Sequence, residues 1–203
     1  MTSSITGAAN AGSLKALLEL DMESIPEITL TALLDQYEVL LFDAYGVLVH
    51  ADGALPGAAA LLTHLQRLGK TYYMLTNDAS KLPTNAATHY QSYGLPLDPE
   101  HIISSGELLQ PYFALHQLTG ARCAVLGPVD SVQYVEQAGG QVVPPAEPFD
   151  VLVIGDESGF PFLETIDTTL STLCRMIDRQ YTVHLLLPNP DIIYPSGEGF
   201  GMP

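Results

Sequence analysis

The stretch LLFDAYGVLVHADG, residues 40–53, decides how this chain reads. With Val39 in front, its apolar run has the length and character of a buried strand, and it ends abruptly in an acid. Gly46, three residues later, permits a tight backbone turn. An aspartate held at a strand end can act as a nucleophile, forming a covalent intermediate that splits one difficult displacement into two easier ones. Asp43 is therefore the first candidate catalytic residue.

Outward from this stretch, Pro56 and Gly57 signal a turn. Ala58, Leu61, Leu62, Leu65 and Leu68 then follow helical spacing, and Gly69 supplies a stop. TYYML at 71–75 reads as the next strand. The three pieces form a βαβ unit that should place both strand ends, Asp43 and Thr76, along one edge of a parallel sheet. Open α/β sheets bind ligands at that edge. The Thr76 hydroxyl and the backbone donors of Thr76 and Asn77 suit an anionic oxygen.

The alternation continues. A helix is expected near 84–93, a strand at His101–Ile103, and a helix from Glu107 to about Leu118 with Pro111 in its first turns. A strand follows at 122–126, then a helix opened by Asp130 and closed by Gly139 and Gly140. After the loop PPAEP come the strand DVLVI and a long helix with Leu163, Ile166, Leu170, Leu173 and Ile177 on one face. TVHLLL is the last strand expected, and PNPDIIYPSGEGFGMP reads as irregular. Near the start, Leu14–Leu20 reads as a weak amphipathic helix. The fold class is α/β with mostly parallel strands.

Composition narrows the partners. A chain of 203 residues, 47% of them hydrophobic, suffices for one substantial domain or a domain with a smaller companion. Its 23 acids against 7 bases give a formal charge of −16. That balance opposes nucleic acid and anionic membranes, so neither is expected as a partner. No apolar run approaches the roughly 20 residues that span a bilayer. The N-terminus MTSSITGAANAGSLK lacks the basic start and apolar core of a signal peptide, so a cytoplasmic location is expected. Cys123 and Cys174 sit singly in apolar segments and are expected as buried thiols. No histidine pair has metal-ligand spacing on one helix face. His50, in the loop after Asp43, is a candidate substrate contact.

The segment LLFDAYGVLVHADGALPGAAALLTHLQRLGKTYYMLTNDASK resembles the opening of the haloacid dehalogenase-like (HAD) hydrolase superfamily, in its type IIA phosphatase-like branch. The likeness rests on Asp43–Xaa–Xaa–Gly46–Val–Leu, on Pro56–Gly57–Ala58, and on Leu75–Thr76–Asn77 with Ser80 and Lys81. It continues through Gly94–Leu95 and Ile103–Ser104–Ser105–Gly106. VLGPVDSVQYVEQAGG, FDVLVIGDE and NPDIIYPSGEGFGMP look like the α/β cap that this branch inserts. The resemblance implies a partial Rossmann-like core with an inserted α/β cap: a lead segment over 1–28, the N-terminal half of the core over 29–105, and the cap over 106–203.

It also implies chemistry. Asp43 would be the nucleophile of a Mg²⁺-dependent phosphatase acting on a small phosphorylated metabolite: a sugar phosphate, phosphoglycolate, a nucleotide or pyridoxal phosphate. Asp43 and the backbone carbonyl of Tyr45 would bind Mg²⁺. Thr76, Asn77 and Gly46 would serve substrate binding, and Asn189 and Asp191 could belong to the substrate-facing edge of the cap. Position 45 normally carries an aspartate, the general acid and base. Here it is Tyr45, whose phenol, with an unperturbed pKa of about 10, can donate a proton but is a poor base near neutrality.

The family's lysine and its Gly-Asp metal segment, both expected after the cap, have no clear counterpart: no lysine follows Lys81. Gly155–Asp156–Glu157 resembles the metal segment superficially and aligns better with a strand end in the cap. The chain thus reads as lacking the C-terminal part of the core.

Two other readings remain open. FDAYG also looks like the first motif of 2-haloacid dehalogenases, where Asp43 attacks carbon without a metal. Only 33 positions separate Asp43 from Thr76, however, which leaves little room for the helical cap of those enzymes. The other reading is a non-catalytic phospholigand-binding module, whose unpaired sheet edges favour a homodimer.

Overall fold

A computed structural model describes residues 27–191, 194–196 and 199–201. The helix expected at Leu14–Leu20 lies outside them. The chain divides into two compact units, Met1–Glu38 and Val39–Pro203. In the first, Leu30–Gln36 forms α1, and the Thr29 hydroxyl caps it by accepting from the Ala32 N–H at 3.2 Å. Leu34 is its buried residue.

The second unit is built on two parallel sheets. The first comprises β1 (Val39–Asp43), β4 (Thr71–Thr76) and β5 (Ile102–Ser104) in the order β1-β4-β5. Between β1 and β4 run a small antiparallel pair, β2 (Val49–His50) and β3 (Gly53–Ala54), and α2 (Ala58–Leu68). The pair was not expected from the sequence, where His50 reads as part of the loop after Asp43. Asp52-Gly53 is its turn signal, with Gly53 at φ +128°. As expected, α2 stops at Gly69, whose φ of +63° suits the left-handed C-cap.

Side-chain alternation along the strands separates two faces of this sheet. Leu40, Tyr72, Met74 and Ile102 are buried on one, while Val39, Leu41, Leu75 and Ile103 on the other are between 37% and 58% exposed. Among the described residues, β1 pairs with β4 alone.

The chain continues through α3 (Pro83–Ser92) and a 3₁₀ turn at Pro99–His101 into β5. The helix expected from Glu107 starts earlier, as a 3₁₀ turn over Ser105–Leu108 followed by α4 (Leu109–Leu115). A capping box explains the start. Ser104 Oγ accepts from the Gly106 N–H at 3.1 Å, and Glu107 accepts the Ser104 N–H at 3.0 Å.

The second sheet has the order β7-β6-β8-β9, all parallel: β6 (Arg122–Leu126), β7 (Gln141–Val142), β8 (Val151–Ile154) and β9 (His184–Leu186). The helices α5 (Val129–Gln137) and α6 (Phe162–Asp178) connect them. One core gathers Phe113, Cys123, Tyr134, Val135, Val151 and Val153, and a second gathers Ala124, Phe149, Leu152 and Met176.

The expected face of α6 is only partly right. Ile166 and Leu173 pack inward, but Leu163, Leu170 and Ile177 are 75%, 52% and 59% exposed. The helix turns Thr169, Thr172 and Met176 to the sheet instead. Small threonines allow close approach, and Thr169 returns its hydroxyl to the Thr165 carbonyl at 2.7 Å. The same rotation exposes Cys174, which corrects the expected pair of buried thiols: only Cys123 is buried. The final segment is not wholly irregular either. Tyr194–Ser196 (β10) and Gly199–Gly201 (β11) pair antiparallel, so the Ser-Gly-Glu-Gly run was a missed hairpin signal. No helix among the described residues is long and apolar enough to cross a membrane.

Side chains from α5 hold the first sheet's loops. Asp130 lies in the first turn of α5, as expected, and its carboxylate also reaches the start of α3, accepting from the Leu82 N–H at 2.8 Å and Asn85 Nδ2 at 2.7 Å. Ser131 Oγ donates to the Ala79 carbonyl at 3.1 Å, and Tyr134 Oη to the Lys81 carbonyl at 2.8 Å. Burial pushes the Tyr134 phenol up to about 12, so it remains a donor at neutral pH.

Gly106 makes room for this tyrosine: a Cβ there would lie 2.5 Å from Tyr134 Cε2. Because the ring is anchored at both ends, Gly106→Ala is expected to destabilise the fold by about 1–3 kcal/mol. A denaturant midpoint unchanged from the parent would show that the ring yields.

Candidate active site

The parallel register sets Asp43 beside Leu75 and Thr76 beside Ser104, so the C-terminal ends of β1, β4 and β5 form one edge. A cavity of about 470 Å³ opens there. Asp43, Ala44, Tyr45, Thr76 and Asn77 line it from the first sheet, together with Asp78, Ser80 and Lys81 from the loop after β4. Asp156, Glu157 and Ser158, after β8, and Asn189 and Asp191, after β9, line it from the second sheet. Four of the five expected site residues thus meet. Gly46 lies outside the lining: its N–H donates to the Val49 carbonyl at 2.8 Å, and its φ of +80° serves the turn. His50 is not in the lining either.

Asp43 is exposed, with Oδ1 accepting from the following Ala44 N–H at 2.8 Å. The loop after β4 is tied by its own side chains. The Asp78 N–H donates to Thr76 Oγ1 at 3.1 Å, Ser104 Oγ to the Asp78 carbonyl at 2.8 Å, and Ser105 Oγ to the Asn77 carbonyl at 2.9 Å. Burial raises the Tyr90 phenol well above its usual value, and its hydroxyl shares a hydrogen bond with Thr76. Asn77 Nδ2 donates to both carboxylate oxygens of Asp191, at 3.3 and 3.2 Å, joining the two sheet edges across the cavity mouth.

Lys81 is the basic residue of the lining, and Asp78 Oδ2 pairs with it at 3.0 Å. Burial works against both charges, but the pairing outweighs it. Asp78, which also accepts from the Ser80 N–H, is held below the usual carboxylate range, and Lys81 is held above the usual lysine range. The Asp78 contribution is present above the unfolded value near 4 and is lost as pH falls through the folded value. The Lys81 contribution is present below about 10.4 and is lost as pH rises through its folded value. Lys81→Met is therefore expected to lower stability between roughly pH 4 and 10, by no more than about 1 kcal/mol because water screens the partly exposed pair. Equal melting temperatures of parent and variant across that window would refute a stabilising pair.

Magnesium favours near-octahedral oxygen coordination. Asp43 and the Tyr45 carbonyl are the donors expected here, and the described residues do not complete a shell around them. Among the described residues, the one group of three acidic or histidine side chains whose ligand atoms converge, within 4.8 Å of one another, is Asp98, Glu100 and His101, outside the cavity lining. The fit to a metal at Asp43 is thus incomplete among the described residues.

Sequence reasoning found Asp43, Thr76 and Asn77 through strand ends and Tyr45 through the family resemblance. It gave Asp78 no role, assigned Lys81 only to the family likeness, and treated Asp156 and Glu157 as an improbable metal segment. The signal for these was present only as position: each follows a strand of a parallel sheet, where loops gather at one edge.

A parallel α/β fold with a strand-end aspartate lining a polar cavity has the arrangement that nucleophilic hydrolysis requires. The profile of the family described as haloacid dehalogenase-like hydrolase matches residues 40–141, half of the chain, and the protein belongs to that family. Glycerol-3-phosphate phosphatase of Gallus gallus is 32% identical over 112 residues, 55% of this chain and 36% of that protein.

Among solved structures, a possible sugar phosphatase of the HAD superfamily from Cytophaga hutchinsonii superposes with a TM-score of 0.73 at 29% identity, covering 88% of this chain and 64% of that one. A glycerol phosphate phosphatase from Mycobacterium tuberculosis in complex with magnesium shares the fold, with a TM-score of 0.65 at 20% identity over 83% of this chain and 49% of that one. This chain therefore spans about a third of the length of the curated relative and under two thirds of these solved structures.

Proposed function

We propose that this chain carries the nucleophile side of a phosphatase for small phosphomonoesters. The observation that supports it most is the meeting of Asp43, Tyr45, Thr76 and Asn77 in one cavity. In this reading Thr76 and Asn77 hold the phosphoryl oxygens while the Asp43 carboxylate attacks phosphorus. An oxygen–phosphorus bond to Asp43 forms as the ester bond breaks, and the Tyr45 phenol gives its proton to the departing alkoxide. Water then attacks the phosphorus of the aspartyl phosphate and gives a proton to the Tyr45 phenolate, which breaks the bond to Asp43, releases inorganic phosphate and restores both the carboxylate and the phenol.

The named relatives, phosphatases of glycerol phosphate and sugar phosphates, favour a polyol phosphate as substrate. The magnesium in one of them favours a divalent cation with Asp43 and the Tyr45 carbonyl among its donors. Release of phosphate from 4-nitrophenyl phosphate, compared between the chain and its Asp43→Asn variant, tests the reading.

A second reading is a phospholigand-binding module. Tyr45 in the acid–base position and the engagement of Asn77 by Asp191 favour it. Binding of inorganic phosphate without turnover of any ester would select it.

A further inference from the structure

We infer that the outward stripe of α6 is where two copies of this chain meet, the two helices packing antiparallel about Leu170. The inference stands apart from the phosphatase reading, because α6 contributes no residue to the cavity lining.

α6 runs for 17 residues and turns Thr169, Thr172 and Met176 to the sheet. At about 100° per residue, positions 163, 170 and 177 fall in one stripe well away from those three. Leu163, Leu170 and Ile177 occupy it and are 75%, 52% and 59% exposed. Ile166 and Leu173 flank the stripe on the side that packs against the core. The five residues alternate in steps of three and four, the spacing of a helix that packs along another helix. The inner two find cover within this chain, and the outer three do not. The sheet beneath repeats the pattern. Leu185 of β9 stands beside Leu152 in register, on the sheet face that α6 covers, and is 61% exposed. The helical layer thus leaves the edge strand uncovered.

Charge says what covers the stripe. Glu164 and Asp167 lie in the first half of α6, Arg175 lies in its last turn and Arg179 caps its end. All four are exposed, and none joins an ion pair among the described residues. A helix with acids toward one end and bases toward the other is complementary to its own reverse. Antiparallel pairing about Leu170 sets Leu163 against Ile177 of the second copy and brings Glu164 level with Arg175 of the second copy, each contact occurring twice by symmetry. A parallel pair would set acid beside acid and base beside base. The formal charge of −16 repels a second copy at long range, so the contact that holds one is apolar at its centre with opposite charges at its rim.

Sedimentation equilibrium on the full chain is expected to show a monomer–dimer equilibrium. Leu170→Glu, which sets two carboxylates face to face on the symmetry axis, is expected to raise the dissociation constant at least about hundredfold. Thermal melting checks that this variant folds. Arg175→Glu alone is expected to raise the constant about threefold or more, and adding Glu164→Arg to restore the parental value. A merely destabilised helix would not show that rescue.

The exposed Cys174 reports orientation. Antiparallel pairing keeps the two Cys174 positions about 12 Å apart along the helix axis, beyond disulfide reach, so mild oxidation is expected to leave the dimer uncrosslinked. Leu170→Cys in a Cys174→Ser background is expected to be captured across the axis by a short bis-maleimide. A chain that stays monomeric at every concentration, a dimer untouched by Leu170→Glu, or a disulfide between the two Cys174 residues overturns the inference.

Discussion

Asp43→Asn is expected to lower phosphomonoester hydrolysis by about 10³-fold or more, because the amide cannot form the covalent acyl phosphate on which the proposed route depends. The fold should not change. Asp43 is exposed, and the bond from the Ala44 N–H to Oδ1 at 2.8 Å is one that asparagine can keep. Stability is therefore expected to stay within about 0.5 kcal/mol of the parent. Affinity for inorganic phosphate should rise, since the substitution removes a negative charge facing the anion. Two readouts moving in opposite directions separate loss of the nucleophile from loss of the site. Hydrolysis at the parental rate in the variant would end the case for Asp43 as nucleophile.

The second large effect runs toward gain. Tyr45→Asp is expected to raise hydrolysis by about 10²- to 10⁴-fold, the usual worth of one well-placed acid–base group. The gain should come in kcat. An added carboxylate in a cavity already lined by Asp43, Asp78, Asp156, Glu157 and Asp191 weakens anion binding, so KM is expected to increase. Like-charge neighbours also favour the protonated form of the new acid, which shifts the optimum toward mildly acidic pH. Tyr45→Phe is the control: it retains the ring and removes the proton donor. A Tyr45→Asp variant that folds, binds phosphate and still fails to turn over ester would support the binding-module reading.

Much of the framework could be read locally. The strand Val39–Asp43 was legible from its apolar run, although only Leu40 of it is buried rather than the whole run as expected, and the helix 58–68 stops at Gly69 as expected. Parallel connection then brought Asp43 and Thr76 to one edge without any knowledge of long-range contacts. Local reading failed where a helix had two plausible faces. On α6 the leucines at 163 and 170 give the stronger apolar signal, yet packing against the sheet selected Thr169, Thr172 and Met176. It was incomplete at Asp130, which opens its own helix as expected but also accepts the Leu82 N–H, 48 positions away in sequence.

The candidate site divides along the same line. Sequence by itself put forward Asp43 and the Thr76–Asn77 strand end as candidates, because each depends on one strand and the turn that follows it, and Tyr45 entered through the family resemblance. Tertiary structure alone decided what encloses them. Asn77 meets Asp191 across 114 positions of chain, and the 156–158 turn reaches the cavity only because β8 runs parallel to β6 and ends on the same side. Propensity and spacing act over a few residues, whereas charge and hydrogen bonds act through space, as the Asn77–Asp191 contact does.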